Sequence, residues 1–232
     1  MEVSGQLVAL NSEDHRALRL RSLNSAPRHF VEIMTSEFAA AAAYCPVLLV
    51  KNADTGAFYA GAMFGFKPGE NLLAKGPDSG SPAYRPFDQL REGFYVAGDE
   101  IAIDPANPRF SESDGEPLFD MDGQPAEVLR RMQQVLATLV NGKPETEDFI
   151  ATLLRLKLVE PMDVTLKFDD GERLVLQGLY TVSLDALRTL DDADVLDLFH
   201  KGYLQLIYTM TGSLKQIGNL ADRRNRLLAQ AA

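Results

Sequence analysis

The chain has 232 residues, 46% of them apolar and 24% charged, the makeup of a folded globular protein rather than a disordered one. Its net charge of −10, from 33 acidic and 23 basic residues, argues against a phosphate-backbone partner and so against nucleic-acid binding. The single cysteine, Cys45, excludes an intrachain disulfide.

The first 28 residues are polar and basic around His15 to Arg21 and read as an extended arm, with a strand at Gln6 to Leu10. The opening Met1 to Gln6 lacks the basic and apolar regions of a signal peptide. From His29 to Tyr44 the apolar residues Phe30, Ile33, Met34, Phe38 and Ala41 have helical spacing, and Pro46 ends that helix. Val47 to Val50 and Phe58 to Phe66, on either side of Asn52-Ala53-Asp54-Thr55-Gly56, predict a hairpin. No apolar run approaches the roughly 20 residues of a membrane-spanning helix; the longest, Phe38 to Val50, is interrupted by Cys45-Pro46. The expected location is cytoplasmic.

Residues 76–86 read as loop, and Phe94 to Val96 and Glu100 to Asp104 as strands. The acidic, turn-rich stretch from Asp104 to Pro125 has Phe110, Leu118 and Phe119 as its anchors to the core. Beyond Pro125 the period becomes helical at Val128, Leu129, Met132, Val135, Leu136 and Leu139, with a stop expected at Asn141-Gly142 and Pro144. Thr146 reads as the N-cap of a new helix whose apolar face is Phe149, Ile150, Leu153, Leu154 and Leu156. The clearest hairpin runs from Asp163 to Thr181 around Asp169-Asp170-Gly171-Glu172. Ser183 caps a short helix, Asp191-Asp192 open a longer one from Ala193 to about Met210, and Thr211-Gly212-Ser213 separates it from a last helix over Leu214 to Leu228.

This order predicts an α+β fold: small antiparallel sheets and hairpins packed with a helix-rich C-terminal half. With no long linker, residues 1–232 read as a single compact unit of two subregions, 1–125 strand-rich and 126–232 helix-rich with the hairpin at 163–181.

Metal and nucleophile motifs fail in turn. His15, His29 and His200 are far apart and have no second ligand at helical spacing. Phe119-Asp120-Met121-Asp122-Gly123 fails as a calcium loop, because positions one and twelve would be Leu118 and Leu129; a turn held by an Asp side chain explains it. Cys45 lies between Tyr44 and Pro46 at a helix end, where a small buried apolar role fits. Gly61, Gly65 and Gly69 lack the Lys-Ser/Thr and the helix of a phosphate loop and read as packing or bulge positions. Arg223, Arg224 and Arg226 read as cations near the end of a helix. One carboxylate group remains, Asp99, Glu100 and Asp104, with Asp114 and Glu116 downstream; acid–base chemistry or a solvated acidic surface both fit it.

Taken in order, several segments carry a resemblance. They are Glu37-Phe38, Tyr44-Cys45-Pro46, Gly69-Glu70-Asn71-Leu72-Leu73, Tyr84-Arg85-Pro86-Phe87 and Gly115 to Asp120, then Gly178-Leu179-Tyr180, Gly202 to Tyr208 and Ser213-Leu214. In these the chain resembles the bacterial SapC family. It departs from that pattern in lacking a tryptophan before Tyr84, and in having Thr209-Met210-Thr211 where many relatives have Ala-His-Leu. The resemblance implies an accessory or binding protein without a cofactor, associated with surface-layer genes or with a modifying-enzyme and uptake system. Its implied partner is a protein or peptide, such as a halogenase-like or cupin-like enzyme. The ligand-binding residues expected are Asn71, Tyr84, Arg85 and Phe87, the last three because a guanidinium between two rings can grip a carboxylate or a ring. The alternative is an enzyme of unfamiliar type using a carboxylate/Arg pocket in the loops between residues 69 and 122.

Overall fold

The computed structural model describes residues 7–22, 26–73 and 84–231. In chain order it opens with β1 (Val8–Ala9), β2 (Arg19–Leu20) and β3 (Phe30–Glu32), then a 3-10 turn (Thr35–Glu37) and α1 (Phe38–Ala42). There follow β4 (Val47–Lys51), β5 (Phe58–Met63), α2 (Phe87–Leu90), β6 (Phe94–Ala97), β7 (Glu100–Ile103), β8 (Phe110–Ser111) and β9 (Glu116–Pro117). The remainder is α3 (Glu127–Arg155), β10 (Val159–Lys167), β11 (Arg173–Val182), α4 (Leu184–Arg188), α5 (Asp192–His200), α6 (Tyr203–Ser213) and α7 (Gln216–Ala231). The class is α+β, as the sequence predicts. Most of the loop expected over 76–86 lies outside the described residues.

The chain divides into two compact units that interleave in sequence. One is Met1–Ala26 with Phe87–Asn141, the other Pro27–Pro86 with Gly142–Ala232. The first unit holds two small antiparallel sheets, in the orders β1-β7-β6 and β8-β2-β9. Their apolar sides enclose Leu20, Phe94, Ile103, Phe110, Leu118 and Phe119 with Leu129, Met132 and Leu136 from the start of α3. The anchors expected at Phe110, Leu118 and Phe119 are therefore core residues. Asp120 Oδ1 accepts from the backbone N–H of Asp122 (3.0 Å) and of Gln124 (2.8 Å), which makes the false calcium loop an Asp-held turn.

The second unit is built on one five-stranded antiparallel sheet, order β10-β11-β4-β5-β3. Both predicted hairpins are in it, β4–β5 and β10–β11. The second begins earlier than Asp163 because β10 is an edge strand, which tolerates Pro161. The core under the helices contains Phe38, Phe64, Phe149, Leu48, Leu49, Leu153, Leu158 and Leu198; each such side chain contributes about 1.5–3 kcal/mol of burial.

Four expected boundaries change, three for a tertiary reason and one for the backbone conformation of a glycine. His29 to Tyr44 is not one helix: Phe30–Glu32 pairs with β5, and the Phe30 ring fills the space over Gly61, where a Cβ would lie 2.0 Å from it. Packing, not a bulge, thus explains that glycine. The stop at Asn141 to Pro144 is absent, and α3 runs through it. Gly142 lies against Met34, a Cβ there being 3.1 Å from that side chain, and Thr146 is no N-cap: its hydroxyl donates to the Gly142 carbonyl (2.7 Å) and accepts from the Thr35 N–H (3.0 Å). On the face that follows, Phe149, Ile150 and Leu153 are buried but Leu154 is exposed.

The helix expected over Ala193 to Met210 is two, α5 and α6, because Gly202 takes a left-handed conformation (φ 75°) between them. Its cap is Asp191, whose carboxylate accepts from the Asp194 N–H at 2.9 Å. Thr211 to Ser213 does not break α6, since Ser213 Oγ bonds inside the fold, donating to the Met210 carbonyl (2.6 Å) and accepting from the Val47 N–H (2.8 Å).

Candidate functional site

The 3-10 turn at Thr35–Glu37 presents two sides. Inward, Glu37 is 3% exposed and its carboxylate accepts from the Tyr84 hydroxyl (Oε1, 3.0 Å) and the Met34 N–H (Oε2, 3.0 Å). Burial pushes the Tyr84 phenol well above its ordinary range, and the Glu37 charge and hydrogen bond push it further, as does nearby Cys45. Cys45 is buried too; its Sγ donates to the Ala41 carbonyl at 3.3 Å, and burial raises the thiol from 9.0 to about 12. The small buried role expected of Cys45 is what the structure has.

Outward, Thr35 and Ser36 form one wall of a cleft of about 450 Å³, closed by Glu145 and Asp148 of α3, by Lys201, Gly202 and Tyr203 at the α5–α6 joint, and by Leu206. The Tyr203 hydroxyl donates to Asp148 Oδ2 at 2.5 Å, a short charge-assisted bond. Its ring packs edge-on against Phe149 (5.1 Å between centroids), which in turn packs against Phe38 (5.9 Å). A chain of three rings thus joins the cleft to the helix that follows Glu37. Burial first, then the Asp148 hydrogen bond and the charges of Asp148, Glu145 and Asp197, hold the Tyr203 phenol protonated far above its usual range. Gly202 keeps its left-handed turn with nothing within 4 Å of a Cβ, so conformation and not crowding selects it.

A third cluster accounts for Glu70. Arg224 is 7% exposed; its Nε lies 3.2 Å from Glu70 Oε1, its Nη2 is 2.8 Å from Glu172 Oε2, and its guanidinium lies 4.1 Å over the centre of the Phe168 ring. Glu70 Oε2 accepts from the Phe66 N–H at 2.7 Å, and Lys67 Nζ stands 2.5 Å from Glu172 Oε1. The hydrogen bonds from Lys67 and Arg224 hold Glu172 below the ordinary carboxylate range. Arg224 Nη1 is buried without a hydrogen-bond partner among the described residues. Far from a helix-end cation, Arg224 ties α7 to the turn after β5 and to the β10–β11 hairpin.

The residues singled out in the sequence fall in both units. Asn71 Oδ1 accepts from the Leu73 N–H at 2.9 Å, the local bond of a turn. Tyr84 and Arg85 are half-buried in the same unit as Asn71, whereas Phe87 opens α2 in the other. Asp99 and Glu100 are exposed at the β6–β7 turn. Asp104 lies past the far end of β7, roughly 13 Å further along a strand of that rise, 3% exposed and accepting from the Ala106 N–H at 3.1 Å. His200 is exposed at the end of α5 beside Phe199. No group of three or more metal-ligating side chains occurs among the described residues. Tyr203 and Asp148, 55 positions apart, are invisible as a pair in the sequence; Gly202 inside an apolar helical run was the available signal.

These features define an α+β protein with a cleft of mixed polar and apolar lining beside a helix joint and a buried carboxylate–phenol pair behind one wall. The SapC family profile matches residues 10–220, and the chain belongs to the SapC family. No curated protein and no solved structure matches it. No described helix is long and apolar enough to cross a membrane.

Proposed function

We propose that this SapC-family chain is a non-catalytic accessory or binding protein, and that the cleft between Thr35-Ser36 and Gly202-Tyr203 receives a group from its partner. The observation that carries this is the cleft itself, a concave site of about 450 Å³ with the hydroxyls of Thr35 and Ser36 on one wall and Glu145, Asp148, Lys201 and Tyr203 on the other. Cys45, the chain's one thiol, is buried, which raises its pKa to about 12, so it is not a ready nucleophile. The cleft's size falls within the range of small-molecule and side-chain pockets. Two of the segments that carry the family resemblance, Glu37-Phe38 and Gly202 to Tyr208, border it directly or by one residue. By family association the partner belongs to a surface-layer or modifying-enzyme and uptake system, a halogenase-like or cupin-like enzyme among them.

Ser36→Trp provides the test. Ser36 is exposed on the cleft wall, so an indole fills the cleft without disturbing the core. A partner captured by the wild-type chain from native extract is expected to be lost with Ser36→Trp at an unchanged melting temperature. Equal capture by both chains would remove the cleft from the function.

A further inference from the structure

The charges lining the cleft do not balance. Lys201 Nζ lies 3.9 Å from Asp148 Oδ2 and 3.4 Å from Asp197 Oδ2, so two carboxylates answer its one charge. It also lies 5.7 Å from the centre of the Tyr203 ring, a further stabilising contact. Asp148 uses the same Oδ2 to accept the Tyr203 hydroxyl. Glu145, three residues before Asp148 and so on the same face of α3, lines the cleft with no hydrogen bond or ion pair among the described residues. The lining thus presents two carboxylates against one ammonium, and that ammonium is shared with a third carboxylate outside it.

The residual charge is negative, on a chain whose net charge of −10 adds to the attraction for cations. A divalent metal does not suit it: a hard cation seeks six or more oxygens, while here the Lys201 ammonium stands beside one of the two carboxylates. An anion would face both carboxylates. What fits is a single positive charge with directional N–H donors, carried on a stem that lies against Leu206 and the Tyr203 ring.

Resting on the binding role given above, we propose that the cleft takes an alkylammonium or guanidinium head, with Glu145 and Asp148 as its acceptors. Such a head is the end of a lysine or arginine side chain in a polypeptide partner, or of a free small amine. Ser36 offers a hydroxyl at the opposite wall.

Titration of the full-length chain followed by amide NMR tests this, with butylammonium and butylguanidinium as probes of the head alone and a blocked tripeptide with a central arginine as the polypeptide form. The cations are expected to shift the resonances of Ser36, Asp148, Gly202 and Tyr203, with butyrate and magnesium ion failing to do so. Glu145→Gln, at an exposed position that the core does not use, is expected to weaken binding 5- to 10-fold. A tripeptide that binds more than tenfold tighter than the small cations assigns a polypeptide source, and equal affinities assign a free amine. Absence of shifts at the cleft with every cation, equal shifts with butyrate or magnesium, or an unaltered affinity in Glu145→Gln would overturn the assignment. If the cations fail while Ser36→Trp still abolishes partner capture, the head-group assignment falls and the binding role stands; if Ser36→Trp has no effect either, both fall.

Discussion

Tyr84 donates its hydroxyl proton to Oε1 of Glu37 across 3.0 Å, joining two segments 47 residues apart that both carry the resemblance to the SapC family. The bond explains why a glutamate is buried at the base of the 3-10 turn. Its two oxygens are answered by a phenol and by the Met34 N–H, and charged acceptors hold such donors more strongly than neutral ones. Glu37→Ala is expected to cost about 2–3 kcal/mol, since it strands two buried donors. Tyr84→Phe, which deprives the carboxylate of one donor and adds no volume, is expected to cost about 1–2 kcal/mol. Urea melts of both variants check this; a neutral Tyr84→Phe would mean that water or another group satisfies Glu37.

The Arg224 cluster predicts sensitivity to acid. Glu172 has a folded pKa below its unfolded one, so its contribution is present above the unfolded value and is lost as pH falls through the folded one. Arg224→Met removes the ion pairs to Glu70 and Glu172 and the guanidinium's contact with the Phe168 ring, and leaves an apolar side chain of similar length against that ring. It is expected to lower the melting temperature at neutral pH and to lose less stability between pH 5 and pH 3 than the wild type. Parallel slopes for the two proteins in acid melts would contradict this.

Cys45 predicts the opposite limb. Its thiol rises from 9.0 to about 12 on folding, so the folded state holds the proton more tightly; the resulting stability is complete below the unfolded pKa and declines as pH rises through the interval from 9 to 12. The slope is at most about 1.4 kcal/mol per pH unit. Cys45→Ala is expected to flatten the alkaline limb measured by denaturant melts, and an unchanged limb would place the effect elsewhere. The raised phenols of Tyr84 and Tyr203 act in the same direction at higher pH.

Gly202 separates α5 from α6 with φ at 75° and open space around its Cα. Gly202→Ala is expected to cost about 1–2 kcal/mol in backbone strain alone, while Gly202→Asn costs less because asparagine adopts this conformation more readily. Thermal melts that rank Ala above Asn in stability would contradict the conformational explanation.

Much of the sheet was legible from sequence, because hairpins announce themselves locally. Asn52 to Gly56 and Asp169 to Glu172 are turn chemistry between short apolar runs, and both produced paired strands. The errors lie where a distant residue decides. Pro144 and Gly142 look like a stop until Met34 packs on the glycine and Thr35 bonds to Thr146. Phe30 matches a helical period until Gly61, on a strand 31 residues later, offers its open face. The candidate site was hidden for the same reason: Asp148 and Tyr203 are 55 positions apart, and only the fold brings the Tyr203 hydroxyl to Asp148 at the α5–α6 joint. Of the residues singled out, Asn71 makes the local backbone bond that an asparagine in a turn usually makes, whereas the partner of Tyr84, Glu37, is 47 residues away and not displayed in the sequence.

Hydrogen–deuterium exchange on the chain bound to its captured partner tests the central claim most directly. Protection is expected at residues 34–37, 145–149 and 201–206, the segments that form the cleft, with β6–β7 around Asp99 and Glu100 unchanged. Protection confined to residues 69–73 or 94–104, with the cleft segments exchanging as in the free chain, would contradict it.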